Sequence, residues 1–416
     1  MTGLVTFFYS MKIGGMNMTN TTRAQDPEHK NKTSGWFKCP ISSKCGGCQM
    51  EKLPYKAQLR EKQKRVEELL GGFGPVLPIL GMENPFHYRN KVHAVLATDK
   101  RGDPVSGIYA QGSHHVIPVS HCLLENEHAT EIIHTTVQLI KKYQLRIYNE
   151  YTHRGLLRHL LVRISERTGE VMLTLVATDV NIPRIEDLSR ELVSIYPDIK
   201  TVVVNQNSRQ TSAVLGTREK VIIGDGYIED ILCGMRFRIS SQSFYQVNSR
   251  QTEILYQTAI RQAGLTDKDV LMDAYCGTGT IGICAARQVK KLIGIEINRR
   301  AVDDAKNNAE RNEITNAVFI CGDAGNALSN NRGKMVRPDV VIMDPPRAGS
   351  SKQFLDSLKY NAPERIVYVS CNPETLARDL DYFLADTSYH MESATPVDMF
   401  PGTSHVETVV LLTRNA

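Results

Sequence analysis

Three short segments in the last third of the chain hold side chains that could perform bond chemistry. SCNP (Ser370 to Pro373) places Cys371 directly after the apolar β-branched run from Ile366 to Ser370. HVET (His405 to Thr408) places Glu407 just before the run VVLLT, and DPPR (Asp344 to Arg347) ends a third apolar run. A thiolate is an effective covalent catalyst. One reaction that needs it is methylation of a pyrimidine ring carbon, because C5 of uracil becomes nucleophilic only after a nucleophile has added at C6. The methylated adduct still carries a hydrogen on C5, which a base must remove before the cysteine can leave. Glu407 is the candidate base, and His405 competes with it because an ordinary imidazole titrates nearer neutrality. Methylation of an exocyclic amine needs no cysteine, and its sites carry a base-stacking aromatic after the Pro-Pro pair, where this chain has Arg347. Plainer fates remain open for both residues: free cysteine is most often a small buried hydrophobe, and Glu407 could be a surface charge on an edge strand.

A methyl donor requires a pocket. DAYCGTGTIG (Asp273 to Gly282) sets Gly277, Gly279 and Gly282 in the pattern G-x-G-x-x-G, where glycine lets the chain turn tightly and approach a ligand at a helix start. Glu296 ends the next apolar run, where an acid can accept hydrogen bonds from ribose hydroxyls. A dinucleotide dehydrogenase would satisfy both features. Asp323 in CGDA, placed to bind an adenine amine, and then Asp344 continue the series. Acids at consecutive strand tips suit a cationic ligand such as S-adenosylmethionine.

Cys39, Cys45 and Cys48 are spaced C-x5-C-x2-C, and Cys122 could supply a fourth thiolate. Four thiolates suit an iron–sulfur cluster or structural zinc, and the spacing does not choose between them. A redox C-x2-C pair would need a βαβ context that is missing here.

These groups need elements to position them. After Ile239, short β-branched runs alternate with helical stretches at Val270 to Asp273, Leu292 to Glu296, Ala317 to Cys321, Val340 to Asp344 and Ile366 to Ser370. That rhythm predicts an α/β fold, a Rossmann-like methyltransferase sheet with its ligands at the carboxyl ends of the strands. From Phe86 to Arg238 the alternating segments predict an α+β region of antiparallel strands, with helices near Glu127 to Tyr143 and Arg184 to Tyr196. LPYKAQLREKQKRVEELL, ended by Gly71 and Gly72, predicts an exposed amphipathic helix. The expected organisation is a flexible extension over 1–35, a central α+β RNA-binding domain with the cysteine site over 36–238, and the methyltransferase domain over 239–416.

With 416 residues, 41% of them hydrophobic, the chain can bury more than one core. No apolar run approaches the roughly 20 residues that span a bilayer, and the N-terminal stretch lacks a secretory pattern. Nine cysteines without export signals are expected as reduced thiols or ligands in the cytoplasm. From Trp36 to His121 there are 12 Lys and Arg against 7 Asp and Glu, an excess equal to the whole chain's +5. Such a section suits a polyanion. Nothing points to an obligatory protein partner, and a monomer is expected.

Taken together and in this order, CPISSKCGGCQ, RNKV, SFYQVN (Ser243 to Asn248), DAYCGTG, DPPRAG, SCNP and HVET make the chain resemble the RNA 5-methyluridine methyltransferases from about Cys39 onward. The resemblance implies Cys371 as nucleophile, Glu407 as proton acceptor and a [4Fe-4S] cluster on Cys39, Cys45, Cys48 and Cys122. It places S-adenosylmethionine on Gln246, Tyr275, Glu296, Asp323 and Asp344; the spacing argument does not find Gln246. Many members begin with a small β-barrel RNA-binding domain that 35 residues cannot hold. RNA grip is therefore expected from Lys56, Arg60, Arg89 and Lys91, with Arg154, Arg158 and His159. Cluster-bearing members resemble enzymes of large-subunit ribosomal RNA, so 23S rRNA is the expected substrate and a tRNA T-loop uridine the alternative. An inactive RNA-binding or redox-sensing module would have lost the nucleophile, the base or the acidic tips, and all are present.

Overall fold

The computed structural model describes residues 39–110, 112–210, 213–329 and 337–415; the extension expected over 1–35 lies outside them. Seven strands make the first sheet: β1 (Lys91–Thr98), β2 (Pro104–Tyr109), β3 (Val116–Pro118), β4 (Leu157–Ile164), β5 (Val171–Ala177), β6 (Ile199–Gln206) and β7 (Arg218–Ile223). Their order is β3-β2-β1-β4-β5-β6-β7. Neighbours pair antiparallel as expected except β5 and β6, which are parallel, because the helix Ile185–Ile195 carries the chain back to the same end of the sheet. Val92, Leu160, Val162 and Leu173 on one face share a core with Ile132 of the helix Glu127–Lys142 and Leu188 of Ile185–Ile195.

A hairpin of β8 (Tyr227–Leu232) and β9 (Met235–Ser240) precedes the second sheet. Its strands are β10 (Val270–Ala274), β11 (Lys291–Glu296), β12 (Ala317–Cys321), β13 (Val340–Met343), β14 (Arg365–Ser370), β15 (Tyr389–Val397) and β16 (Glu407–Arg414). The order β12-β11-β10-β13-β14-β16-β15 contains the five expected parallel strands, with β16 and β15 added antiparallel. Strand order reverses at β10, so a crevice opens at the carboxyl ends beside β10 and β13. Apolar residues fill both faces: Leu271, Leu292 and Val367 on one, Met272, Ile293 and Tyr368 on the other.

Strand β16 lies between β14 and β15, which excludes the plainer fate left open for Glu407, a surface charge on an edge strand; it is 4% exposed. One expectation needs correction. The helix Tyr55–Leu70 is not simply an exposed amphipathic helix. It buries Gln58, Lys62, Val66 and Leu70, a stripe at four-residue spacing, and its Val66 and Leu70 join a core of the second sheet. Half of that stripe is polar, so its hydrophobic period understates how much of the helix is covered.

Candidate active site

The antiparallel register of β14 and β16 pairs Val369 with Val409 and Ser370 with Thr408. Continued by one residue, it sets Cys371 opposite Glu407, so two residues 36 positions apart in sequence meet at one end of the sheet. Asp344 leaves the tip of β13, one strand over, with its N–H on the Ala274 carbonyl at 3.3 Å. Three acidic or thiol side chains thus crowd a partly dry site. Burial, reinforced by Asp344 and opposed by Arg347, pushes the Glu407 carboxyl up to about 8. Burial pushes Asp344 up to about 7. The Cys371 thiol is pushed up to about 11 by burial, then by Glu407 and Asp344, with Arg347 opposing. The thiolate expected of a nucleophile is therefore disfavoured in the protein alone, first because the thiol is dehydrated and then because two acids stand near it. A cation bound among them would act in the opposite sense.

His405 does not compete well as the base. Its Nε2 lies 3.2 Å from Nη2 of Arg347, and burial together with Arg347 lowers its pKa. It is not among the residues lining the cavity of about 1140 Å³ onto which Cys371 and Glu407 open. That cavity gathers every side chain expected at the cofactor site: Gln246, Tyr275, Glu296, Asp323 and Asp344 all line it.

The glycine-rich turn shows how the chain builds this wall. Gly277 and Gly279 have φ of 55° and 81°, and Tyr275 itself is left-handed at 63°, a backbone state that non-glycine residues hold only where the surroundings enforce it. Gly282 donates its N–H to Asp273 at 2.8 Å; an added Cβ there would stand 2.7 Å from that same carboxylate oxygen. Glu296 accepts from the Gly277 N–H at 3.1 Å and the Asn298 N–H at 2.8 Å, which fixes its carboxylate at the tip of β11. Asp323 accepts from the Asn326 N–H at 2.9 Å with one oxygen, at the start of the helix Ala324–Ser329. The Tyr275 hydroxyl meets Ser350 at 3.1 Å and its ring packs edge-on against Phe354.

Residue-by-residue reasoning missed the scaffold behind Gln246. Asn90, from RNKV, donates to the Gln246 carbonyl at 3.1 Å and to the Ser249 hydroxyl at 2.9 Å. Asn248 caps the helix Ser249–Ala263 and donates to the Met399 carbonyl at 2.9 Å. Phe244 lines the cavity while 73% exposed, an aromatic face open to a planar ligand. The motif SFYQVN was the available signal, but no periodicity marks which of its residues face the cavity.

The four cysteines lie apart from this cavity. Cys48 is pushed up to about 12 by burial and then by Cys122, Cys45 and Cys39; Cys45 also feels Cys39, and Cys122 feels Cys45. The thiols therefore converge from two chain segments, and Gly47 keeps Cys45 Sγ clear, since a Cβ there would sit 3.1 Å from it. This donor set fits a thiolate-bound centre, although among the described residues no three His, Cys, Asp or Glu side chains already form a ligand shell. Arg89 lines the cavity and also weakly opposes the upward shift that burial gives the Cys45 thiol, so it stands between the two sites.

Of the residues expected to grip RNA, Lys56, Arg60 and Arg154 are exposed, and Arg89 and Lys91 are half-buried. Arg158 and His159 are each 4% exposed and correct that expectation. Arg158 pairs with Glu150 at 2.7 Å and donates to the Asn207 and Arg209 carbonyls. His159 packs against His93 with ring centroids 5.0 Å apart. Among the described residues no helix is long and apolar enough to cross a membrane.

Comparison with known proteins identifies the family. The family described as tRNA (Uracil-5-)-methyltransferase matches residues 54–415. An uncharacterized RNA methyltransferase of Clostridium acetobutylicum is 41% identical over 383 residues, covering 90% of this chain and 83% of the relative. One from Halalkalibacterium halodurans is 39% identical over 379 residues, covering 90% and 82%. The crystal structure of Pyrococcus abyssi tRNA (uracil-54, C5)-methyltransferase with S-adenosyl-L-homocysteine superposes with a TM-score of 0.74 at 28% identity, covering 89% of this chain and 86% of that one.

Proposed function

Since the chain belongs to the tRNA (uracil-5-)-methyltransferase family, whose members are S-adenosylmethionine-dependent RNA methyltransferases, we propose that it methylates C5 of a uridine in 23S rRNA, with Cys371 as nucleophile and Glu407 as proton acceptor. The observation that carries this reading is the alignment of Cys371 with Glu407 across β14 and β16 on the wall of the cavity that the acidic strand tips also line. S-adenosylmethionine supplies an electrophilic methyl group and a positive sulfonium. Gln246, Tyr275, Glu296, Asp323 and Asp344 hold it, and the charge it brings among Asp344, Glu407 and Cys371 favours their ionised forms. Cys371 adds to C6 of uracil, which loads electron density on C5 to accept the methyl. Glu407 then takes the C5 hydrogen as a proton, that bond's electrons form the C5–C6 double bond, and the C6–S bond breaks to return the cysteine. The glycine-rich turn would serve either ligand, so it is the family that sets the dehydrogenase reading aside.

Incubating the protein with radiolabelled S-adenosylmethionine and total RNA from a strain lacking it tests the activity, and mapping the labelled nucleotide tests the substrate. Label in no 5-methyluridine would sink the activity. A tRNA T-loop uridine is the second reading, favoured by the likeness to the Pyrococcus abyssi enzyme; label in tRNA alone would replace the ribosomal assignment.

Cys39, Cys45, Cys48 and Cys122 are proposed to hold a [4Fe-4S] cluster, with zinc as the alternative, in a structural role because methyl transfer moves no net electrons. Anaerobically purified protein should be brown, and a Cys45→Ser variant should lose that absorbance; colourless protein containing zinc would favour the alternative. For RNA, reversing the exposed Lys56 and Arg60 to Glu should weaken binding and lower the slope of log affinity against log salt by about 1–2. An unchanged slope would remove that helix face from the RNA footprint.

A further inference from the structure

Glu407 is the first residue of β16 and its register partner is Val397, the last residue of β15, so it stands where the loop 398–406, having left β15, re-enters the sheet. That loop does little to hold itself: its internal bonds include Thr403 N–H to the Phe400 carbonyl at 3.1 Å and little beyond such turns. Its main-chain groups are instead held by distant parts of the chain. The Met399 carbonyl accepts from Asn248 at 2.9 Å, Phe400 from Lys62 at 3.1 Å, Pro401 from the Tyr88 hydroxyl at 3.0 Å, and Gly402 from the Met50 N–H at 3.0 Å. The Gly402 N–H donates to Gln58 at 2.8 Å, and the Ser404 carbonyl accepts from Arg65 at 2.9 Å. At the head of the loop, Lys62 and Asp398 form an ion pair of 2.6 Å with side-chain exposures of 1% and 0%.

Burying an ion pair is costly, and an apolar pair of similar size often stabilises a fold as well or better. Gln58, 0% exposed, spends its whole amide on main chain: Gly402 on one side, Met50 and Leu53 on the other. Three of these donors and acceptors, Gln58, Lys62 and Arg65, lie along the helix Tyr55–Leu70, which also explains why half of its buried stripe is polar. Phe400 lines the same cavity as Glu407, so the clamped loop is a wall of the site.

We propose that the helix Tyr55–Leu70 and the Tyr88 hydroxyl set the loop 398–406 so that Glu407 meets the C5 hydrogen, making Gln58, Lys62 and Tyr88 positioning residues for the proton-removal step. This rests on the uracil C5 reading. A base displaced by about 1 Å can lose about 10²-fold in rate, whereas Cys371, held by β14, keeps its own geometry. The clamp therefore acts on the second half of the reaction. Bond formation between Cys371 and C6, and methyl arrival at C5, proceed as before; loss of the C5 proton to Glu407 and release of the thiolate slow.

The test uses full-length Tyr88→Phe and Gln58→Met with substrate RNA and S-adenosylmethionine, following adduct by denaturing gel after rapid quench and free 5-methyluridine by mass spectrometry. Expected are wild-type cofactor affinity, wild-type adduct formation and product release slowed about 10- to 100-fold, so that adduct accumulates. Should Gln58→Met not fold, Tyr88→Phe, which deletes one oxygen, carries the test. Adduct formation and release slowed by one common factor, or release unchanged in the folded variants, would overturn the positioning role. A wild-type protein that gives neither adduct nor 5-methyluridine would overturn the methylation reading itself, before any variant is compared.

Discussion

A Glu407→Gln variant mixed with substrate RNA and S-adenosylmethionine is expected to accumulate a covalent protein–RNA adduct that survives denaturation, while release of methylated RNA falls by about 10²–10⁴-fold. Glutamine keeps the shape of the protonated acid but cannot take a proton. Cys371 still adds to C6 and C5 still receives its methyl, so the reaction stops where the base is needed. The wild-type protein should show the corresponding pH dependence. Burial raises Glu407 to about 8, so below that pH the carboxyl is mostly neutral, and only the ionised fraction removes the proton. Release should rise about tenfold per unit as pH increases toward 8 and level off above it, with the bound sulfonium moving the bend to lower pH. The same shift gives a control for folding. A carboxyl raised in the folded state has stability that is present below its unfolded pKa and is lost as pH rises through the folded value. Glu407→Gln should therefore melt no lower than wild type near pH 8. Absence of adduct in a variant that folds and binds cofactor would shift the base role to another residue, with His405 the first to examine.

Cys371→Ala should fail earlier. Without the sulfur no bond to C6 forms, C5 stays a poor nucleophile, and turnover should drop by more than about 10³-fold with no adduct at any time. Cofactor binding should persist, because the acidic tips proposed to hold the cation remain in place. Calorimetric titration with S-adenosylmethionine and a denaturing gel separate the two effects. Retained methylation in this variant would mean that the ring is activated without covalent help, which the crowding of Asp344 and Glu407 around the thiol would then have to explain. The raised Cys371 pKa, about 11 in the protein alone, makes one further distinction: alkylation of Cys371 should be slow in the free protein and faster once the cofactor's positive charge is bound.

Local sequence was enough to establish the parts of this site that depend on short-range physics. Alternating β-branched runs and helical stretches made the parallel sheet legible, and strand ends located Glu296, Asp323, Asp344 and Cys371 on one edge, because parallel strands joined by crossover helices must all point the same way. The glycine-rich turn was legible because only glycine adopts such backbone angles freely. Three closely spaced cysteines raised the expectation of a thiolate site. What the sequence did not contain was set by pairing across long separations. Glu407 read as a candidate base, with a surface charge on an edge strand as the plainer alternative, and only the seating of β16 between β14 and β15 puts it opposite Cys371 and strips its carboxyl of water. The upward shift of the Cys371 thiol likewise comes from burial and then from Glu407 and Asp344, which the sheet brings beside it. Arg158 and His159 read as free cations along the chain, yet tertiary packing pairs one with Glu150 and buries the other against His93. The helix Tyr55–Leu70 read as solvent-facing because its buried stripe is half polar, and hydrophobic periodicity cannot register a lysine whose counter-ion, Asp398, lies 336 residues away. Residue types and strand order thus determined which chemistry was possible and at which edge of the sheet; the tertiary structure decided which groups meet there and in what protonation state, since both depend on the distance and dehydration that only packing creates.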